Sequence, residues 1–144
     1  MLVALLSGSA SANAAPGLIL SDVWTYAPPP GAANAAVFAT IVNTGSEDEY
    51  LLSATTAAAE VSELHTMSMN DDGVMRMRHV QTLTVPAQSV LQLAPGGNHI
   101  MLMDIRPDVY GQPGSSFPMR LTFQQAGEKT VMVEVRSRMQ KPGK

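Results

Sequence analysis

All three histidines and six of the ten methionines of this 144-residue chain lie between His65 and Met103. They form three short clusters, His65/Met67/Met69, Met75/Met77/His79 and His99/Met101/Met103, whose members stand two apart. Side chains two apart on a β-strand point to one face. Read as strands, the three segments each present a row of imidazole and thioether groups, which are neutral nitrogen and sulfur donors. Such a ligand set suits a soft, monovalent ion such as Cu(I). Two of the rows flank turns: a hairpin at 70–73 should bring Met69 beside Met75, and Gly96-Gly97 should place His99 at a strand start. The competing reading is packing, since Met fills irregular gaps in cores, and it is the reading taken for Met119 and Met132 in their apolar runs. Packing is harder to accept for the three clusters, because three core histidines would all need buried hydrogen-bond partners. The chemistry of the residues alone leaves the two readings open.

Composition narrows the alternatives. The length suits one domain with a real core and leaves no room for a second. Cysteine is absent, which removes disulfides, thiolate nucleophiles, iron–sulfur ligation, Cys-type zinc sites and the Cys-containing blue-copper site together. Any metal must be held by His, Met or carboxylate. The net charge of −3 is unevenly spread: no Lys or Arg precedes Arg76, while Arg76 to Lys144 carries all nine. With one Trp, three Tyr and three Phe to stack on bases and no dense basic patch, no nucleic-acid partner is expected.

The elements that would position the clusters read as an all-β chain. Alternating or apolar runs at 18–26, 35–43, 50–56, 61–69, 74–82, 89–93, 99–105, 119–123 and 130–135 are separated by Pro, Gly, Asn and Asp turns. Nine short strands at this spacing predict a β-sandwich. Residues 1–15 read as a signal-peptide remnant or flexible N-terminus: Leu2 to Leu6 is a short apolar run, and Ala12-Asn13-Ala14 has the small-x-small form of a cleavage site. Residues 16–136 are then the folded domain and 137–144 a basic tail. No segment is apolar for long enough to span a bilayer, so no membrane insertion is expected, and a monomer is.

The spacing of four donors resembles that of the periplasmic copper chaperones called PCuAC, whose signature is a His, eleven residues, a Met, twenty-one residues, then His-x-Met. Here His65 is followed by the eleven residues 66–76 and Met77, then by the twenty-one residues 78–98 and His99-Ile100-Met101. Val23-Trp24, Asn43-Thr44-Gly45, the run 73–78, the run 93–104 and Leu121-Thr122-Phe123 are also similar to that family. The resemblance implies a cupredoxin-like or immunoglobulin-like β-sandwich with Greek-key connections. It further implies one Cu(I) per chain on His65, Met77, His99 and Met101, passed towards the CuA centre of a cytochrome c oxidase. The chain departs from the family at Thr66, where some members add a Met, and at His79, where many carry Pro; His79 is read as a surface histidine. Met67, Met69, Met75 and Met103 are read as packing or outer-sphere residues.

The expected partners are the copper ion and an apo CuA domain of cytochrome oxidase, a thiol-containing copper metallochaperone, or both, met in the periplasm. Imidazole must be deprotonated to ligate, so copper affinity should fall as pH drops through about 6.5. A copper-buffering or resistance protein and a metal-free adhesion-type sandwich are the rival readings. An enzyme is not expected: no cysteine, Gly-rich phosphate loop or Ser/His/Asp constellation stands out, and two thioethers disfavour Cu(II).

Overall fold

The computed structural model describes residues 17–137. The leader-like segment 1–15 and the tail beyond Ser137 lie outside the described residues. Ten strands follow one another: β1 (Leu18–Tyr26), β2 (Asn34–Asn43), β3 (Glu49–Thr55), β4 (Ala59–Met69), β5 (Met75–Val80), β6 (Leu83–Val85), β7 (Ser89–Leu93), β8 (His99–Ile105), β9 (Ser116–Phe123) and β10 (Gly127–Arg136). A single helical turn, α1 (Pro107–Tyr110), links β8 to β9. All nine expected strands are present, three of them with the expected bounds.

Two elements differ from the sequence expectation. The run 74–82 ends at Val80, and a short strand β6 starts at Leu83, pairing Glu49, Tyr50 and Leu51 of β3 with Val85, Thr84 and Leu83. Its three residues are too few to show a period of two. The turn α1 begins at Pro107, where a fixed φ and a missing N–H suit the first helical position. It stops at Gly111, whose φ of +85° favours glycine.

Hydrogen-bonded strands run in the order β5-β4-β8-β2-β1-β10-β9-β3-β6, with β7 paired to the second half of β2. Only β1 and β10 pair in parallel. Non-sequential neighbours, such as β8 between β4 and β2, give the crossed connections expected of a Greek key. The core draws on both ends of this order: Leu64 of β4 and Ile100 and Leu102 of β8 join Leu51 of β3, Leu83 of β6 and Met119, Leu121 and Phe123 of β9. The ribbon therefore folds over to enclose one core, an all-β sandwich. Alternation is cleanest in β9, where Phe117, Met119, Leu121 and Phe123 are buried between exposed Ser116, Pro118 and Arg120.

Met132 corrects the packing expectation. The parity of β10 turns Val133 and Val135 inward, so Met132 points out and is 55% exposed, whereas Met119 is 1% exposed. An apolar run marks a strand without saying which residue parity faces the core.

A polar clasp joins α1 to the sheet. Tyr110 Oη donates to the Tyr26 carbonyl at 2.8 Å and lies 2.7 Å from Thr25 Oγ1, which in turn reaches the Ala36 carbonyl at 2.6 Å. Tyr110→Phe keeps the ring against Phe117 and removes the hydroxyl. We expect a loss of about 1–2 kcal/mol in chemical denaturation, the usual cost of leaving buried polar groups short of a partner.

Candidate metal centre

Strands β4, β5 and β8 carry the three clusters side by side. Leu64, Ile100 and Leu102 point into the core, so the alternate residues of β4 and β8 face outward, and the register of β5 puts its row on that same outer face. His65 is the hub. It pairs with His79 of β5 on one side and His99 of β8 on the other, with ring centroids 5.9 and 5.4 Å away. Above this row stand the pairs Met67/Met77 and Met69/Met75, and below it Glu63/Met101 and Val61/Met103.

Local sequence sets this alignment. Asn70 Oδ1 accepts from the backbone N–H groups of Asp72 and Val74, and Gly73 adopts φ +80°, which closes the β4–β5 hairpin in a register that opposes Met69 to Met75. The turn before β8 is closed by Gly97 N–H donating to the Ala94 carbonyl and Ala94 N–H to the Asn98 carbonyl. His99 consequently starts β8 with its Nδ1 2.9 Å from the Gly97 carbonyl. A carbonyl only accepts, so Nδ1 carries the hydrogen and Nε2 holds the lone pair. That Nε2 lies 3.2 Å from Met77 Sδ.

The four donors differ in exposure. His65 and His99 are buried, Met101 is half-buried and Met77 is 48% exposed on the edge strand β5. The backbone register sets Met101 one pair along from His65 and His99, opposite Glu63. His79 stands apart with 56% of its side chain exposed. Met69 and Met75 are exposed rather than packed, and Met67 and Met103 are half-buried.

One functional candidate escaped the sequence reading. Glu63 Oε1 lies 2.9 Å from His65 Nε2 and 3.9 Å from His79 Nδ1. The Glu-x-His spacing on a strand was the available signal, because it places both side chains on one face. The hydrogen bond with His65 holds the Glu63 carboxyl below its ordinary value of 4.5, against a smaller opposing effect of desolvation, with the charges of His79 and His65 assisting. A depressed carboxyl pKa contributes stability that is present above the unfolded value and is lost as pH falls through the folded one. Following the Glu63 carboxyl carbon by NMR should show it ionised to lower pH than an ordinary carboxyl; a midpoint at or above the ordinary value of 4.5 would remove the His65 bond.

On its other side His65 has a buried Nδ1 with no hydrogen-bond partner. Such an atom costs about 1–3 kcal/mol if nothing ever meets it. Among the described residues no three His, Asp or Glu side chains are grouped to hold a metal without thioether help. The chemistry on offer is therefore soft: two imidazoles with one lone pair each, two thioethers, and a carboxylate behind one imidazole.

Solved structures share this fold. A copper-bound PCuAC domain of PmoF2 superposes with a TM-score of 0.71 at 24% identity, covering 83% of this chain and 92% of that one. Cu(I)-bound DR1885 of Deinococcus radiodurans gives 0.68 at 24% identity, covering 85% and 79%. The sandwich is thus the cupredoxin-like or immunoglobulin-like one of PCuAC domains, as the resemblance implied. Residues 18–135 match the family model described as "Putative lipoprotein LpqE-like", and the chain belongs to that family. A relative in Leifsonia xyli subsp. xyli, "Putative lipoprotein Lxx21020", is 32% identical over 123 residues, which is 85% of this chain and 71% of the relative.

Proposed function

We propose that this protein is an exported Cu(I) chaperone that carries one ion on His65, Met77, His99 and Met101. The observation that carries the reading is the contact of His99 Nε2 with Met77 Sδ at 3.2 Å, beside a second histidine whose Nδ1 is buried and unpartnered. Two lone pairs and two thioethers on one face make a neutral, low-coordinate set that favours Cu(I) over harder ions. The copper-bound PCuAC domains that share the fold support the choice of metal. The lipoprotein names of the family and of the Leifsonia relative support export, and the periplasm is the compartment this reading takes from the PCuAC resemblance.

The uneven exposure of the ligands gives a route for release. Buried His65 and His99 anchor the ion, while Met77 on the open edge strand is the ligand an incoming partner can displace. Thioethers are weaker donors than thiolates, so an acceptor with cysteines draws the ion off by ligand exchange, and a carrier without cysteine loses no ligand to disulfide formation outside the cytoplasm. Two thioethers disfavour Cu(II), so a soft site of this kind suits a carrier of Cu(I) better than a redox catalyst. The acceptor in this reading is the apo CuA domain of a cytochrome c oxidase, or a thiol-containing metallochaperone upstream of it.

Mixing the Cu(I)-loaded chain with an apo CuA domain, then separating the two and measuring copper in each, tests delivery. Copper should move to the CuA domain. Retention on this chain would overturn delivery in favour of buffering.

A further inference from the structure

His65 and His99 meet across β4 and β8 but present opposite nitrogens. In His99 the Gly97 carbonyl takes the Nδ1 hydrogen and leaves Nε2 as the donor that faces Met77. In His65 the arrangement is reversed: Glu63 Oε1, at 2.9 Å, accepts from Nε2–H. The lone pair of a neutral His65 is then on Nδ1, the nitrogen that is buried and meets no other polar group.

We propose that Glu63 is the positioning residue of this centre: it fixes His65 in the tautomer that offers Nδ1 to Cu(I), so that the two histidines ligate through different nitrogens, Nδ1 of His65 and Nε2 of His99. The inference rests on the chaperone reading and assigns Glu63 a role within it. A carboxylate behind a ligating imidazole orients the ring and raises the basicity of the far nitrogen. It also supplies one negative charge beside an otherwise neutral ligand set, so the bound cation is compensated without a carboxylate entering its coordination. Register keeps Glu63 in place, because it stands opposite Met101 on β8 and two residues from His65 on β4, with 27% of its side chain exposed. His79 Nδ1, at 3.9 Å from the same oxygen and largely exposed, is too far away to take over this bond.

Long-range nitrogen–proton NMR of the histidine rings, with an anaerobic Cu(I) competition titration, tests the assignment. In the apo protein His65 should carry its hydrogen on Nε2 and His99 on Nδ1, and Cu(I) should shift His65 Nδ1 and His99 Nε2. Glu63→Ala should mix the His65 tautomers and weaken Cu(I) binding by about 10- to 100-fold. Glu63→Gln, whose amide oxygen still accepts from Nε2–H, should restore the tautomer and most of the affinity. Glu60→Ala removes a carboxylate of the same strand that pairs instead with Arg106, and should bind Cu(I) like the wild type. Copper on His65 Nε2, or wild-type affinity and tautomer in Glu63→Ala, would overturn the proposal. Absence of Cu(I) uptake by the wild type would instead overturn the chaperone reading, and the positioning role with it.

Discussion

Replacing Met77 and Met101 together by leucine should weaken Cu(I) binding by more than about 100-fold while leaving the fold intact. Loss of outer-sphere partners alone typically costs about 10- to 100-fold in metal affinity, and this variant removes two of the four proposed ligands. Leucine keeps the volume and removes the sulfur. Met77 is 48% exposed, so its replacement opens no cavity, and Met101 is half-buried on the outer face. Volume-conserving Met-to-Leu exchanges usually cost less than about 1.5 kcal/mol even in cores. An anaerobic titration against a chromogenic chelator, run beside a thermal melt, separates loss of site from loss of fold. Undiminished binding by a folded double variant would mean that these thioethers do not hold the ion.

The largest stability effect should come from Phe117→Ala, with a loss of about 3–5 kcal/mol. Phe117 is 1% exposed, packs its ring on Tyr110 with centroids 5.0 Å apart, and pairs with Val133 across β9 and β10. Truncation leaves a void bounded by strands whose pairing prevents collapse. In a domain of this size that loss corresponds to a drop of about 10–20 °C in melting temperature. Met132→Ala, one residue from Val133 on the same strand, should change stability by less than about 0.5 kcal/mol because its side chain stands in solvent. A large cost for Met132→Ala would reverse the assignment of faces on β10.

Much of this arrangement was legible in the sequence because β-structure writes its period locally. Leu18–Tyr26, Ser89–Leu93 and His99–Ile105 alternate or run apolar between clear turn residues, and their bounds came out as expected. The pairing of Met69 with Met75 followed from Asn70 and Gly73 alone. What depends on distant partners was not legible. Leu83–Val85 is a strand only because Glu49, Tyr50 and Leu51 lie beside it, and Met132 is exposed because the whole of β10 is set by its pairing with β9. At the candidate site, spacing brought out the His and Met rows, but residue types could not show that the three rows adjoin across β5, β4 and β8. Glu63 was passed over for the same reason. A glutamate on a strand reads as solvated until the His65 ring is seen 2.9 Å away.

The most direct test of the centre is X-ray absorption at the copper edge on the chain loaded anaerobically with one equivalent of Cu(I). A shell of about two sulfur and two nitrogen neighbours is predicted, from Met77, Met101, His65 and His99. A shell of nitrogen and oxygen alone, or no copper retained after desalting, would contradict it.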